Sequence, residues 1–150
     1  HTPDSLRQVY ETLRSENSKF EIRNSKLNCV LGAAGGGRHK WKRPEFGRIA
    51  SEYCDEVILT DEDPYDENPE KILNQISSGF AQIPNSKFQI PNSFHRILDR
   101  REAIRTALTS AKEGDTVIIT GKGSETSMAV AGGKKLPWSD RDVVREFLNK

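Results

Sequence analysis

At 150 residues the chain has the length of one domain with its own hydrophobic core. A net charge of +1, from 23 Lys and Arg against 22 Asp and Glu, excludes the strongly basic balance of a dedicated nucleic-acid binder. No apolar run reaches membrane-spanning length and no signal-peptide pattern is present, so neither nucleic acid nor membrane is expected as a partner.

Residues 34% hydrophobic and 30% charged predict a well-solvated surface. Cys29 and Cys54 form no CxxC and have no histidine at ligand spacing. They are expected to be buried free thiols in a reducing compartment. His1, His39 and His95 are scattered, which predicts no metal site. The chain starts at His1 without methionine, as a processed piece or an excerpt of something longer would.

Thr2 and Pro3 have the residue types of an N-cap and first helical position. Leu6, Val9, Tyr10 and Leu13 follow at helical spacing, which predicts a helix over Pro3–Arg14. Ser15–Lys26 is polar and predicted irregular. Its NSKFEIRNSK echoes NSKFQIPNS at Asn85–Ser93, and QIPNS occurs at both Gln82–Ser86 and Gln89–Ser93. These near-copies are too short for solenoid repeats and are expected to be surface loops.

Leu27–Leu31 is predicted as a strand, followed by glycines 32, 35, 36 and 37 and the basic residues Arg38, Lys40, Lys42 and Arg43. A glycine turn between a strand and a helix N-terminus collects free backbone N–H groups and suits an anion. A plain turn with solvated lysines would have the same composition. Pro44–Tyr53 is a predicted helix with Phe46, Ile49, Ala50 and Tyr53 on one face. Glu56–Thr60 is a second strand, and the acidic turn Asp61–Glu67 follows it. That turn is either solvated charge supporting the next helix or a cage for an ammonium group. Asn68, Pro69 and Glu70 form an N-cap, N1 and N2 for a helix to about Ser77.

A third strand is predicted over Phe94–Leu98. The helix Arg100–Lys112 follows, with Ala103, Ile104, Ala107, Leu108 and Ala111 facing inward. Thr116–Thr120 reads as the most buried strand in the chain, with Gly121–Glu125 just beyond its end. Glu125 there is either structural or a binding group. Met128–Gly132 and Lys135–Trp138 are expected to make a small antiparallel edge element. Ser139 caps a last helix, with Asp142 at N3 and Val143, Val144, Phe147 and Leu148 inward.

This order predicts an α/β fold: a Rossmann-like three-layer domain with a mostly parallel sheet, an antiparallel edge strand, and helices on both faces. Three unusual loops then meet beyond the carboxyl ends of the strands, where ligands of such sheets bind. They are Gly32–Arg43, Asp61–Glu67 and Gly121–Glu125. The glycine loop is no P-loop, because Arg38-His39 follow Gly37. GKGS at Gly121–Ser124 has Thr116 where the first glycine should stand. ATP hydrolysis by this chain alone is therefore not expected. GxGxxG is also absent, and Asp61 lies too far from Gly32 for the usual dinucleotide spacing. No catalytic Ser/His/Asp or Cys/His set is legible.

Five motifs in order resemble the C-terminal domain of the Mur ligases, nearest to the members that add the third peptide residue. HTPDSL at His1–Leu6 is similar to the family's HTPDAL, and GGGRHKWKRP at Gly35–Pro44 to its GGDRDKGKRP. TDEDPYDENP at Thr60–Pro69 occupies the place of its DNPR-type loop. GDTVIITGKGSE at Gly114–Glu125 is similar to GDxVLIAGKGHE, and WSDRDVVREFL at Trp138–Leu148 to the closing SDR helix. The resemblance covers essentially the whole chain.

The resemblance implies a cytoplasmic ligase in which ATP, with Mg2+, phosphorylates the carboxylate of a UDP-N-acetylmuramoyl-dipeptide. A free amino acid then attacks the acyl phosphate. The UDP-binding and central ATPase domains would lie outside this chain, and the central domain would hold nucleotide and metal. This domain would dock the amino acid and close over ATP, with no catalytic base of its own. By the same resemblance Arg38 would grip a carboxylate. Asp63, Pro64 and Tyr65 would line the selectivity loop, and Gly121 and Glu125 would receive the far end of the amino acid. His1 and Lys40 would lie near the nucleotide. Tyr65 stands where diaminopimelate-adding members carry Arg, and Asp63 replaces Asn, which tilts the expectation from meso-diaminopimelate toward lysine. Gly37 and His39 replace two family aspartates, and Ser124 replaces His. The alternatives are a stand-alone α/β module binding a nucleotide or phosphorylated metabolite without catalysis, and a degenerate structural domain.

Overall fold

The structure, a computed structural model, describes residues 2–19, 25–37, 39–82 and 93–149. The chain runs α1 (Pro3–Lys19), β1 (Leu27–Leu31), α2 (Lys42–Tyr53), β2 (Glu56–Leu59) and α3 (Pro69–Ser77). It continues through β3 (Ser93–Arg96), α4 (Arg100–Ser110), β4 (Thr116–Ile119), β5 (Ser127–Val130), β6 (Lys134–Pro137) and α5 (Asp140–Leu148). The echoing NSKF and QIPNS segments lie largely outside the described residues.

Strands β1 to β4 form one sheet in the order β3-β2-β1-β4, with every pairing parallel. Alternation along the strands makes two cores. Leu27, Cys29, Leu31, Val57 and Leu59 face α1, α2 and α3, whose Leu6, Tyr10, Phe46, Ile49, Ile72 and Ile76 pack on them. Val30 and Ile58 face the other way, onto Ala103 and Ala107 of α4, and α5 packs against α4. The result is the three-layer α/β arrangement the element order predicts. Strands β2 and β3 are added on one side of β1 and β4 on the other, and this switch in strand order opens a crevice at the carboxyl ends of β1 and β4.

Caps behave as their residue types demand. The side-chain oxygens of Thr2, Asn68 and Ser139 accept from the backbone N–H groups of Ser5, Glu70 and Asp142.

Several details differ from the sequence expectations. Helix α1 runs to Lys19, past the last apolar residue of its pattern. Arg14, where the predicted helix ends, donates to the Tyr53 carbonyl (2.7 Å) and the Asp55 carboxylate (2.9 Å). Val9 and Leu148 are exposed rather than inward. Strand β4 is only half buried, because it has a neighbour on one side alone among the described strands. The fully buried strand is β1, despite its Asn28. The antiparallel piece, β5 with β6, is a hairpin of its own. It docks on the acidic turn: Ala129 N–H donates to Asp63 Oδ1, and Tyr65 N–H donates to the Ala129 carbonyl.

Cys29 and Cys54 are not free thiols: they form a disulfide between β1 and the C-cap of α2. Their spacing of 25 residues gave no hint of a shared location. The reducing-compartment expectation drawn from free thiols falls with them.

Candidate functional site

Residues 32–36 leave β1 in extended and turn conformations and run directly beneath the acidic loop. Gly35 N–H donates to the Asp63 carbonyl at 2.6 Å. A Cβ at Gly35 would collide with the Pro64 carbonyl, so this backbone-on-backbone approach requires glycine. Gly37 N–H donates to the Glu67 carboxylate.

Arg43 ties the same two loops from inside. Its side chain is 1% exposed. Both terminal nitrogens donate to Glu67, at 2.9 and 3.0 Å. They also reach Gln75 Oε1 (2.6 Å) and the Ala34 carbonyl (2.9 Å). The forked contact with Arg43 holds the Glu67 carboxyl down at about 2. Arg43 therefore fastens the two loops to each other, although its buried side chain also borders a cleft between them.

The start of the acidic loop is the opposite case. Burial pushes Asp61 up to about 6 and Glu62 up to about 7. Glu62 is 4% exposed, and its Oε2 has no hydrogen-bond partner among the described residues. Gly121, at φ 108°, lies against that oxygen, where any Cβ would collide with it. Behind them Arg100 donates to both oxygens of Asp140 (2.8 and 2.7 Å) and to the carbonyls of Asp61 and Thr120 (both 3.0 Å). This buried pair joins the N-termini of α4 and α5 to the ends of β2 and β4.

Lys122 follows Gly121 and turns inward. Its ammonium donates to both oxygens of Asp63 (2.8 and 2.9 Å) and to Glu125 Oε2 (2.6 Å). Burial alone would lower its pKa; the two carboxylates outweigh burial and raise it.

A cleft of about 540 Å³ opens between the glycine loop, the start of α2 and the acidic loop, bounded by Gly35, Gly36, His39, Lys42, Phe46, Glu62 and Tyr65 among others, with no residue of Gly121–Glu125 lining it. Tyr65, at φ 52°, is 45% exposed and sets its ring against Gly36.

The three loops thus meet as expected. Tyr65 borders the cleft, and Pro64 supports Gly35. Asp63, Gly121 and Glu125 gather beside Lys122 and Glu62, with the Asp63 carboxylate turned onto Lys122 and Ala129. Lys40 is exposed at the turn before α2 and does not border the cleft. Arg38 and His1 lie outside the described residues. Sequence reasoning passed over Lys122, the individual role of Glu62, and the Arg100–Asp140 pair. Only the GKG context of Lys122 marked its place.

Among the described residues no group of three or more His, Cys, Asp or Glu side chains could hold a metal ion. None of the described helices is long and apolar enough to cross a membrane.

The family model "Mur ligase, glutamate ligase domain" matches residues 1–123. Among similar curated proteins is the UDP-N-acetylmuramoyl-L-alanyl-D-glutamate--2,6-diaminopimelate ligase of Nitrosomonas europaea. It is 42% identical, over 99% of this chain and 28% of that protein. The ligase of the same name from Aquifex aeolicus is 40% identical, over 99% of this chain and 27% of its own length. A solved structure of a ligase with that name superposes with a TM-score of 0.80 at 36% identity, over 99% of this chain and 28% of that one. The chain therefore spans little more than a quarter of the length of the relatives it matches.

Proposed function

The chain belongs to the Mur ligase family, through its glutamate ligase domain, and from that membership we propose that it is the amino-acid-recognition domain of an ATP-dependent ligase. The reaction is that of a UDP-N-acetylmuramoyl-tripeptide synthetase of peptidoglycan precursor synthesis, assigned to the cytoplasm on family membership. UDP-binding and central ATPase domains of the same full-length protein carry the acceptor dipeptide and the nucleotide. ATP phosphorylates the dipeptide carboxylate. The amine of a free amino acid attacks the acyl carbon, an amide bond forms, inorganic phosphate leaves and the amine gives up a proton. On the same family membership, Mg2+ is placed with the nucleotide on the central domain, and no step here runs through it.

The observation that carries this reading is the meeting of the three loops at the carboxyl ends of the parallel strands, with a cleft large enough for an amino acid between the glycine loop and the acidic loop. The domain's contribution is placement of the amine against the acyl phosphate, not proton transfer. In the proposed arrangement Arg38 grips the amino acid's carboxylate. Gly121 and Glu125 receive its far end, while Asp63, Pro64 and Tyr65 shape the selectivity loop. His1 and Lys40 lie on the side of the nucleotide.

The far end accepted is an ammonium without a second carboxylate, as in lysine. Tyr65 offers a phenol where a second carboxylate would need a cation, and Glu125 with the partly ionised Asp61 and Glu62 disfavours an added negative charge. The test is an amino-acid panel with the full-length enzyme. Lysine is expected to exceed meso-diaminopimelate in kcat/KM by at least tenfold. The reverse order would overturn the selectivity but keep the ligase assignment; no turnover with any amino acid would overturn the ligase assignment.

A further inference from the structure

Lys122 has a setting that a solvated loop lysine does not. Lysine is almost never fully buried unless paired, yet this side chain is 1% exposed, against 57% for Glu125 three residues on. Its ammonium protons meet three carboxylate oxygens, two on Asp63 and one on Glu125. Asp63 is the anchored partner: its Oδ1 also accepts from Ala129 N–H at 2.7 Å, which fixes it to the hairpin. Glu125 is the free partner. Its Oε2 is tied, its backbone N–H donates to the Lys122 carbonyl (2.9 Å), and its exposure leaves the second oxygen open to a ligand.

We infer that Lys122 is a positioning residue that holds Glu125 in the orientation that receives the far-end ammonium of the incoming amino acid. The inference rests on the reading of Glu125 given under the proposed function. Two physical effects follow from the contact. An exposed glutamate otherwise spreads over many rotamers, and ordering it on binding opposes affinity; here that ordering is done on folding. The ammonium also cancels the Asp63 charge, so the three groups together keep one net negative charge, and it is Glu125 that presents it outward. A cationic side chain therefore meets one fixed carboxylate instead of two mobile ones.

The test is steady-state kinetics of the full-length ligase, with KM measured for the amino acid, for ATP and for the UDP-linked acceptor. Lys122→Met alone would strand the Asp63 carboxylate, so it is combined with Asp63→Asn. Measured against D63N alone, so that whatever Asp63 itself contributes to the selectivity loop cancels, the D63N/K122M enzyme is expected to show at least a tenfold rise in amino-acid KM, with kcat within threefold and the ATP KM unchanged. In an E125A background the same comparison should move amino-acid KM less than twofold, because the group being positioned is already gone. Lys122→Arg, which keeps the charge and guards against a misfolded pair, goes through the same cycle with a smaller rise expected, again abolished by E125A. An amino-acid KM in D63N/K122M unchanged from that of D63N would overturn the inference. So would an equal rise with and without Glu125, since Lys122 would then not act through it. If E125A alone leaves amino-acid KM untouched, the reading of Glu125 falls and takes this inference with it. A wild-type enzyme that joins no amino acid would instead sink the proposed function itself.

Discussion

The two ends of the acidic loop hold the same residue type in opposite settings. Glu67, at the far end, is clamped by the Arg43 fork and lies at about 2. Glu62, at the near end, is buried without a partner on Oε2 and is pushed to about 7. Five residues apart, one carboxylate is fixed in its charged form and the other is held near neutrality. Compensation by a cation produces the first state and uncompensated desolvation the second. The far end is therefore the hinge pin that fastens the acidic loop to the glycine loop. The near end is the side whose electrostatics remain open to what enters the cleft.

Breaking the clamp should have the largest effect. Arg43→Met leaves Gln75 Oε1 and the Ala34 carbonyl without their donor, and Glu67 with only the Gly37 N–H. Glu67 keeps 22% exposure, so the loss should be about 2–3 kcal/mol, below the cost of breaking a fully buried pair. Urea unfolding of the 150-residue chain should show that loss, and the Glu67 carboxyl should climb back toward the ordinary range when followed by NMR. A cost under about 1 kcal/mol would mean that the two ends of the loop do not differ as described.

How far this contrast was legible beforehand depends on the length scale involved. Helices and strands came from short-range periodicity and caps: Asn68-Pro69 and Ser139 marked their helix starts without error. The meeting of the three loops followed from the βα order, because strand ends in a parallel sheet share one edge. Pairings across the chain did not follow. Arg43 reads as one more basic residue before Pro44, and only the fold shows that residue 67 reaches it. Lys122 with Asp63, Arg100 with Asp140 and Cys29 with Cys54 are separated by 59, 40 and 25 residues. Strand burial failed for a related reason. TVII is more apolar than LNCVL, but burial depends on having a neighbour on each side, and β4 has one among the described strands.

The open end can be sharpened by titration. A carboxyl whose folded value lies above its unfolded value binds its proton more tightly in the native state. Its contribution to stability is full below the unfolded value and is lost as pH rises to the folded one. For Glu62 that window runs from 4.5 to about 7. Glu67 has the reverse sign, its contribution being lost only as pH falls from 4.5 toward about 2. Glu62→Gln removes the first effect alone. Urea midpoints of variant and wild type should therefore agree near pH 4.5 and diverge above it. By pH 8 the variant should be more stable by about 2–3 kcal/mol. A difference independent of pH would show that Glu62 ionises freely and that the near end is not distinct.

Tyr65 sits between the two ends and belongs to neither, so changing it should do least. Its φ of 52° lies in the left-handed region, which costs a side chain with a Cβ about 1–2 kcal/mol. Tyr65→Gly relieves that strain but adds unfolded-state freedom worth about 0.5–1 kcal/mol. It also gives up the contact between the ring and Gly36. These opposing terms leave a net change within about 1 kcal/mol of zero, read as a small shift in the urea midpoint with an unaltered slope. The backbone N–H of residue 65 still donates to the Ala129 carbonyl in the glycine variant, so the hairpin keeps its dock on the loop. A loss well beyond 1 kcal/mol would mean that the tyrosine ring, rather than the Arg43 clamp, carries the contact between the glycine loop and the acidic loop.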